Sequence, residues 1–224
     1  MTKPAAKGKP LNAAKPDQRA HTLKALAELC VREPRFAQAL EVCGHVHDRR
    51  RPADLANLCR IIVEQQVSVA AAATIWARVE AMVVPFTAEN ILGHDEAALL
   101  RCGLSRPKLR YLREIALAVS NGSLDLGSLA ALEDAEVFAR LTAVKGIGRW
   151  TAEIFLLFAL DRADIWPAHD VALQEAAKRL FNMRKRPDVK RMDKIAARWK
   201  PHRGVAARLL WRYYSVSKQQ PVTP

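Results

Sequence analysis

Between Leu141 and Glu153 the chain reads "LTAVKGIGRWTAE". Gly146 and Gly148 interrupt what is otherwise helical patterning, with Lys145 before them and Arg149 directly after. Glycine permits the positive-φ backbone that a short turn between two helices requires. With no side chains in the way, amides at the start of the second helix are also open to an anion. A helix N-terminus joins unpaired N–H groups to the positive end of the dipole, so the chemistry on offer is a grip on a phosphate. Lys145 and Arg149 flank it with charge. Such a grip positions a nucleic-acid backbone without reading its sequence. A Gly-x-Gly turn also serves in plain helix connections, and for these residues alone that reading stays open.

Other residue types offer further chemistry. Asp170 precedes an apolar-periodic run that begins at Val171, where its carboxylate can cap a helix. The capping-box partner is missing, because Leu173 stands at the third helical position. Trp150 and Trp211 bring large aromatic faces, for which core packing is the plain reading of either taken singly. Gln65 and Gln66 break an apolar stretch, which suggests an exposed polar edge. Cys43-Gly-His45-Val-His47 contains ligating types, yet no second cluster follows at metal-site spacing. Cys30, Cys43, Cys59 and Cys102 form no CxxC pair, so reduced, buried thiols are the economical reading.

The elements that must position these groups read as helices almost throughout, and the fold class is all-α. Leu23, Leu26 and Leu29 recur along His21 to Cys30. Residues 52–83 form a long helical stretch, bent or split at the Gln pair. Pro107 to Ser120 carries Leu109, Leu112, Ile115, Ala116 and Val119 on one face, and Asn121-Gly122 stops it. Asp134 is placed to cap the next helix, and Arg149 to Leu160 forms another. Further helices fit Asp170 to Phe181, Asp188 to Arg198 and Arg203 to Ser217.

Composition bounds the class. Lys and Arg outnumber Asp and Glu by 36 to 23 for a net charge of +13, an excess that attracts polyanions or marks a merely soluble basic protein. Residues 1–20 read as a flexible basic tail without an apolar h-region, hence not a signal peptide. The longest apolar stretch breaks at Glu64, Gln65 and Gln66, too early for a membrane span. A soluble, cytoplasmic protein with no membrane partner is expected.

Four blocks, in order, carry a resemblance: "IIVEQQVSVAAA", "CGLSRPKLRYLREIA", "VKGIGRWTAEIFLLFAL" followed by "WPAHD", and "RWKPHRGVAARLLWRYY". Over residues 52–215 the chain resembles helix-hairpin-helix GPD base-excision DNA glycosylases of the 3-methyladenine DNA glycosylase II type. Pro167 and Asp170 supply the last elements of that signature. The resemblance implies two helical lobes about a cleft. One lobe runs over 52–163 with the hairpin at 141–160, and the other combines 21–51 with 164–224. Larger relatives carry an N-terminal β domain for which this end is too short, so the compact form is expected.

The implied activity is that of a monofunctional glycosylase, a monomer acting on double-stranded DNA with a damaged base. It flips out alkylated purines of the 3-methyladenine and 7-methylguanine class and hydrolyses the N-glycosidic bond, initiating base excision repair. Asp170 becomes the catalytic aspartate, and Trp150 and Trp211 become pocket aromatics for a cationic base. Ile154 departs from the aromatic found there in the best-known bacterial member. Trp150 stands where strand-nicking relatives carry a nucleophilic lysine, so no lyase activity is implied. Gln66 falls at the wedge position. Gln65, Ser68, Lys108, Thr151 and His169 join Lys145, Gly146, Gly148 and Arg149 as DNA contacts. No cofactor is implied beyond a sodium or potassium ion on the main-chain carbonyls of Thr142, Val144 and Ile147. A glycosylase for deaminated or etheno bases, or a non-catalytic DNA-binding module, are the competing readings.

Overall fold

A computed structural model describes residues 16–44, 46 and 50–217. Most of the tail expected over 1–20, and both His45 and His47, lie outside them. The helices begin with α1 (Pro16–Arg32), α2 (Arg35–Cys43), α3 (Leu55–Glu64), α4 (Val69–Met82), α5 (Ala88–Gly93) and α6 (Glu96–Arg101). They continue with α7 (Arg106–Ser120), α8 (Asp134–Ala143), α9 (Arg149–Phe158), α10 (Val171–Leu180), α11 (Val189–Ala196) and α12 (Arg203–Ser217). Two short 3₁₀ turns accompany them, and no strand occurs among the described residues.

Local chemistry sets the boundaries. Asp54, Ser68, Ser105, Asp170 and Asp188 each accept a backbone N–H two or three residues into the helix they open. The stretch expected over 52–83 is split. α3 ends at Gln65, which turns extended, and Gln66 adopts φ 54° before Ser68 starts α4. Asp134 is not the cap of α8: Glu133 occupies that position without a side-chain bond, and Asp134 is the first helical residue. α1 begins at Pro16, inside the expected tail, since proline suits the first helical position. Leu23 is exposed, while Ala25, Leu26 and Leu29 are buried. The short α2, α5 and α6 went unread in the sequence.

Two hydrophobic cores form. One is built from residues of α3 to α9, among them Leu58, Ile61, Ile62, Leu112, Ile115, Leu141 and Phe155. The other joins α1 and α2 to α10, α11 and α12, centred on Phe36, Trp199, Leu173 and Leu209. Trp199 packs against Phe36, Trp166 and Phe181 with ring centroids 4.9, 5.2 and 5.9 Å away. Trp211 touches both cores.

Candidate active site

The hairpin joins α8 to α9 through Val144–Gly148. Gly146 has φ 99°, and a Cβ there would lie 2.4 Å from the Cγ of Tyr111, so both conformation and space demand glycine. Gly148 differs: its φ is −85°, and a Cβ would meet nothing within 4 Å. Of the two, only Gly146 needs positive φ, while Gly148 faces open space at the start of α9. The amides of Arg149, Trp150 and Thr151 precede the first intrahelical bond there, from Ala152 N–H to the Gly148 carbonyl (3.1 Å). Ile147 is buried and pins the turn to the core.

Flanking cations already have partners. Lys145, itself largely exposed, lies 3.8 Å from the half-buried Glu114, a long contact of small worth. Arg149 donates to Glu153 at 2.8 Å and lies 3.7 Å from Asp193 of α11. Glu153 is buried, and burial pushes its carboxyl up to about 6 against the opposing pull of Arg149.

Two expected DNA contacts have other tasks. Thr151 is 1% exposed, and its hydroxyl accepts from Gln65 Nε2 at 2.7 Å, which ties the α3–α4 turn to the hairpin. Lys108 donates to the carbonyls of Val63 (2.8 Å) and Gln65 (2.7 Å), neutralising the C-terminal end of α3. Burial lowers its ammonium pKa. Gln66 stays exposed at the apex of the turn, and Ser68 uses its hydroxyl to cap α4.

The carboxylate of Asp170 is held on three sides. Oδ2 accepts the indole N–H of Trp150 at 2.9 Å; Oδ1 accepts that of Trp211 at 3.0 Å and the Leu173 amide at 2.9 Å. A carboxylate has about four acceptor sites, so helix capping and a free lone pair coexist. The cap and the site are one group. His169 is exposed beside it and is not among these donors.

Asp170, Trp150, Trp211 and Ile154 line one cleft of about 430 Å³. Phe158, unread in the sequence, supplies the ring that Ile154 lacks. It lies one turn further along α9, and its ring stands 5.6 Å from that of Trp211. The spacing of Trp150, Ile154 and Phe158 on one helical face was the available signal. The cleft also holds Glu64, read in the sequence only as a break in an apolar stretch, with Arg51 and Arg60, which were not singled out there.

The carbonyls of Thr142, Val144 and Ile147 flank the hairpin. Val144 accepts the Ile147 amide at 3.0 Å, which leaves it one lone pair, and Thr142 lies in the last turn of α8, whose carbonyl end favours a cation, whereas Ile147 stands just before the N-cap of α9; the donor type, oxygen alone, suits an alkali ion. Among the described residues no group of three or more His, Cys, Asp or Glu is placed to hold a metal ion, and no helix is long and apolar enough to cross a membrane.

Residues 59–202 match the model of the HhH-GPD superfamily of base excision DNA repair proteins. The DNA-3-methyladenine glycosylase 1 of Schizosaccharomyces pombe is 33% identical over 174 residues, covering 75% of this chain and 76% of the relative. The alkylbase DNA glycosidase-like protein mag2 of the same yeast is 32% identical over 127 residues, covering 56% of this chain. The chain spans 60% of that relative's length, less than two thirds. Among solved structures, the S. pombe 3-methyladenine DNA glycosylase in complex with abasic DNA superimposes with a TM-score of 0.78 at 29% identity, covering 84% of this chain and 95% of that one.

Proposed function

We propose that this chain, which belongs to the HhH-GPD superfamily of base excision DNA repair proteins, is a monofunctional glycosylase for alkylated purines in duplex DNA. The observation that carries the reading is Asp170. Its carboxylate is fixed by two indole N–H groups and a helix-terminal amide on the wall of a cleft lined by aromatic rings.

Breaking an N-glycosidic bond builds positive charge on the deoxyribose. A carboxylate already oriented beside C1′ stabilises that charge, or directs a water to it, without reorganising during the reaction. An alkylated purine leaves as a neutral base from a cationic one, so no general acid is required. The faces of Trp150, Phe158 and Trp211 suit a flipped cationic base. Gln66, exposed at φ 54°, is the residue to fill the gap left in the duplex. Open amides after Gly148 grip the phosphate backbone with Lys145 and Arg149. When bound, an alkali ion on the hairpin carbonyls would add positive charge to that grip. A tryptophan at position 150 offers no amine for a Schiff base, which supports hydrolysis without strand nicking. The reading makes the protein DNA-associated, and we extend it to a monomer in the cytoplasm.

The test is base release from methylated duplex DNA, wild type beside Asp170→Asn. Wild type should free methylated purines, and the variant should lose release by three orders of magnitude or roughly thereabouts while still binding DNA. Near-normal turnover in the variant would sink the assignment. Tight binding with no release by wild type would favour a binding module.

A further inference from the structure

The cleft contains a second carboxylate. Glu64, the last residue of α3, lines it together with Asp170 and the tryptophans. Its two oxygens are held from opposite partners: Arg51 Nη1 donates to Oε2 at 2.7 Å, and Arg60 Nε donates to Oε1 at 3.0 Å. Arg51 is itself anchored, since its amide donates to the carbonyl of Phe158 at 2.8 Å. Both arginines also line the cleft. Glu64 is about three-quarters buried, with 24% of its side chain exposed. A surface ion pair at a helix end has no need of two guanidinium groups. A carboxylate held between two donors on the wall of the cleft has remaining lone pairs to present to a ligand there.

Donor and acceptor order identifies that partner. Read across, the triad offers guanidinium N–H, two carboxylate oxygens, then guanidinium N–H again. A guanine-type base presents on its Watson–Crick edge the O6 acceptor, then the N1–H and N2–H donors. The two match in sequence, arginine to O6 and Glu64 to N1–H and N2–H. An adenine-type base presents an N6 amino donor and an N1 acceptor, which satisfy one carboxylate oxygen and one guanidinium and leave the other oxygen without a base donor. Base edges are told apart by such patterns wherever they are exposed.

We infer that Glu64, clamped by Arg51 and Arg60, is a specificity-determining residue that reads the Watson–Crick edge of the flipped base and favours guanine-type lesions such as 7-methylguanine over 3-methyladenine. The inference rests on the glycosylase reading above. Asp170 and the rings act on the charge and ring face that both lesions share, so the preference is assigned to the triad.

The experiment measures release of 7-methylguanine and 3-methyladenine from one methylated duplex by wild type, Glu64→Gln and the double variant Arg51→Met with Glu64→Met. The double variant keeps the net charge around the cleft, which separates edge reading from simple repulsion of a cationic base. In both variants the 7-methylguanine rate should fall about tenfold relative to the 3-methyladenine rate, the discrimination typical of one good base-edge contact. Binding to abasic-site duplex should stay unchanged, which reports an intact fold. A parallel fall of both rates, or no change in their ratio, overturns the inference while leaving the glycosylase reading intact. Release of neither base by wild type overturns the glycosylase reading, and this inference with it.

Discussion

Trp150 and Trp211 each combine two properties of one side chain. Their faces line the cleft, and their N–H groups, which can only donate, hold the two oxygens of Asp170. Replacing either by phenylalanine keeps a ring and removes the donor. A hydrogen bond to a charged group is worth about 1.5–3 kcal/mol, so Trp150→Phe and Trp211→Phe should each slow single-turnover base release ten- to about a hundredfold, with little change in DNA affinity. Unchanged rates in both variants would mean that neither indole N–H by itself is needed to position the carboxylate. Asp170 and both tryptophans were legible as candidates from type and position. That they form one cluster was not, because Trp150 lies 20 residues and Trp211 41 residues from the aspartate in the chain. Glu64 was read only as an interruption of an apolar run: Arg60 stands one turn earlier on the same helix, but Arg51 reaches Glu64 from before the start of α3.

At the scale of elements, the hairpin divides its glycines by task. Gly146→Ala forces a side chain into positive φ and against Tyr111, and should destabilise the fold by about 2–3 kcal/mol. Gly148→Ala meets no steric conflict in the protein, so unfolding midpoints should hold or rise slightly while affinity for duplex DNA drops, as the new methyl stands where a phosphate approaches. Denaturant titration beside a DNA-binding isotherm checks both. Equal effects of the two substitutions on stability would refute the division. The Gly-x-Gly turn was visible in sequence, but both glycines looked alike there. Only the neighbouring α7, which brings Tyr111 under one of them, tells them apart. The break between α3 and α4 was likewise visible at the Gln pair. Its stabilisation by Lys108 was not, because that lysine belongs to α7 and reaches the end of α3 from more than forty residues away.

Across the whole molecule, the cleft is where two cores meet, with Trp211 packed on both. Arg149 bridges them by reaching Glu153 on its own helix and Asp193 on α11. Because burial raises the Glu153 carboxyl from its ordinary 4.5 to about 6, the folded state binds a proton more tightly than the unfolded chain does. The resulting stability is fully present below pH 4.5 and is lost as pH rises to about 6, amounting to about 2 kcal/mol. Glu153→Gln should remove that slope from urea midpoints measured between pH 4 and 7. Persistence of the slope in the variant would assign it to other groups.

What the sequence determined by itself was whatever depends on neighbours along the chain. Helical periodicity, the capping aspartate at 170, the short Gly-x-Gly turn and the basic excess are all local or compositional, and they sufficed for an all-α protein suited to a phosphate backbone. Tertiary structure decided which of those groups remain available. It turned Thr151 and Lys108 inward as struts, set the Phe158 ring beside Ile154 on the cleft wall, and converged three donors on Asp170. Hydrogen bonds and packing between residues distant in sequence are fixed by how helices pack, and no spacing along one helix encodes which side chain its neighbour will meet.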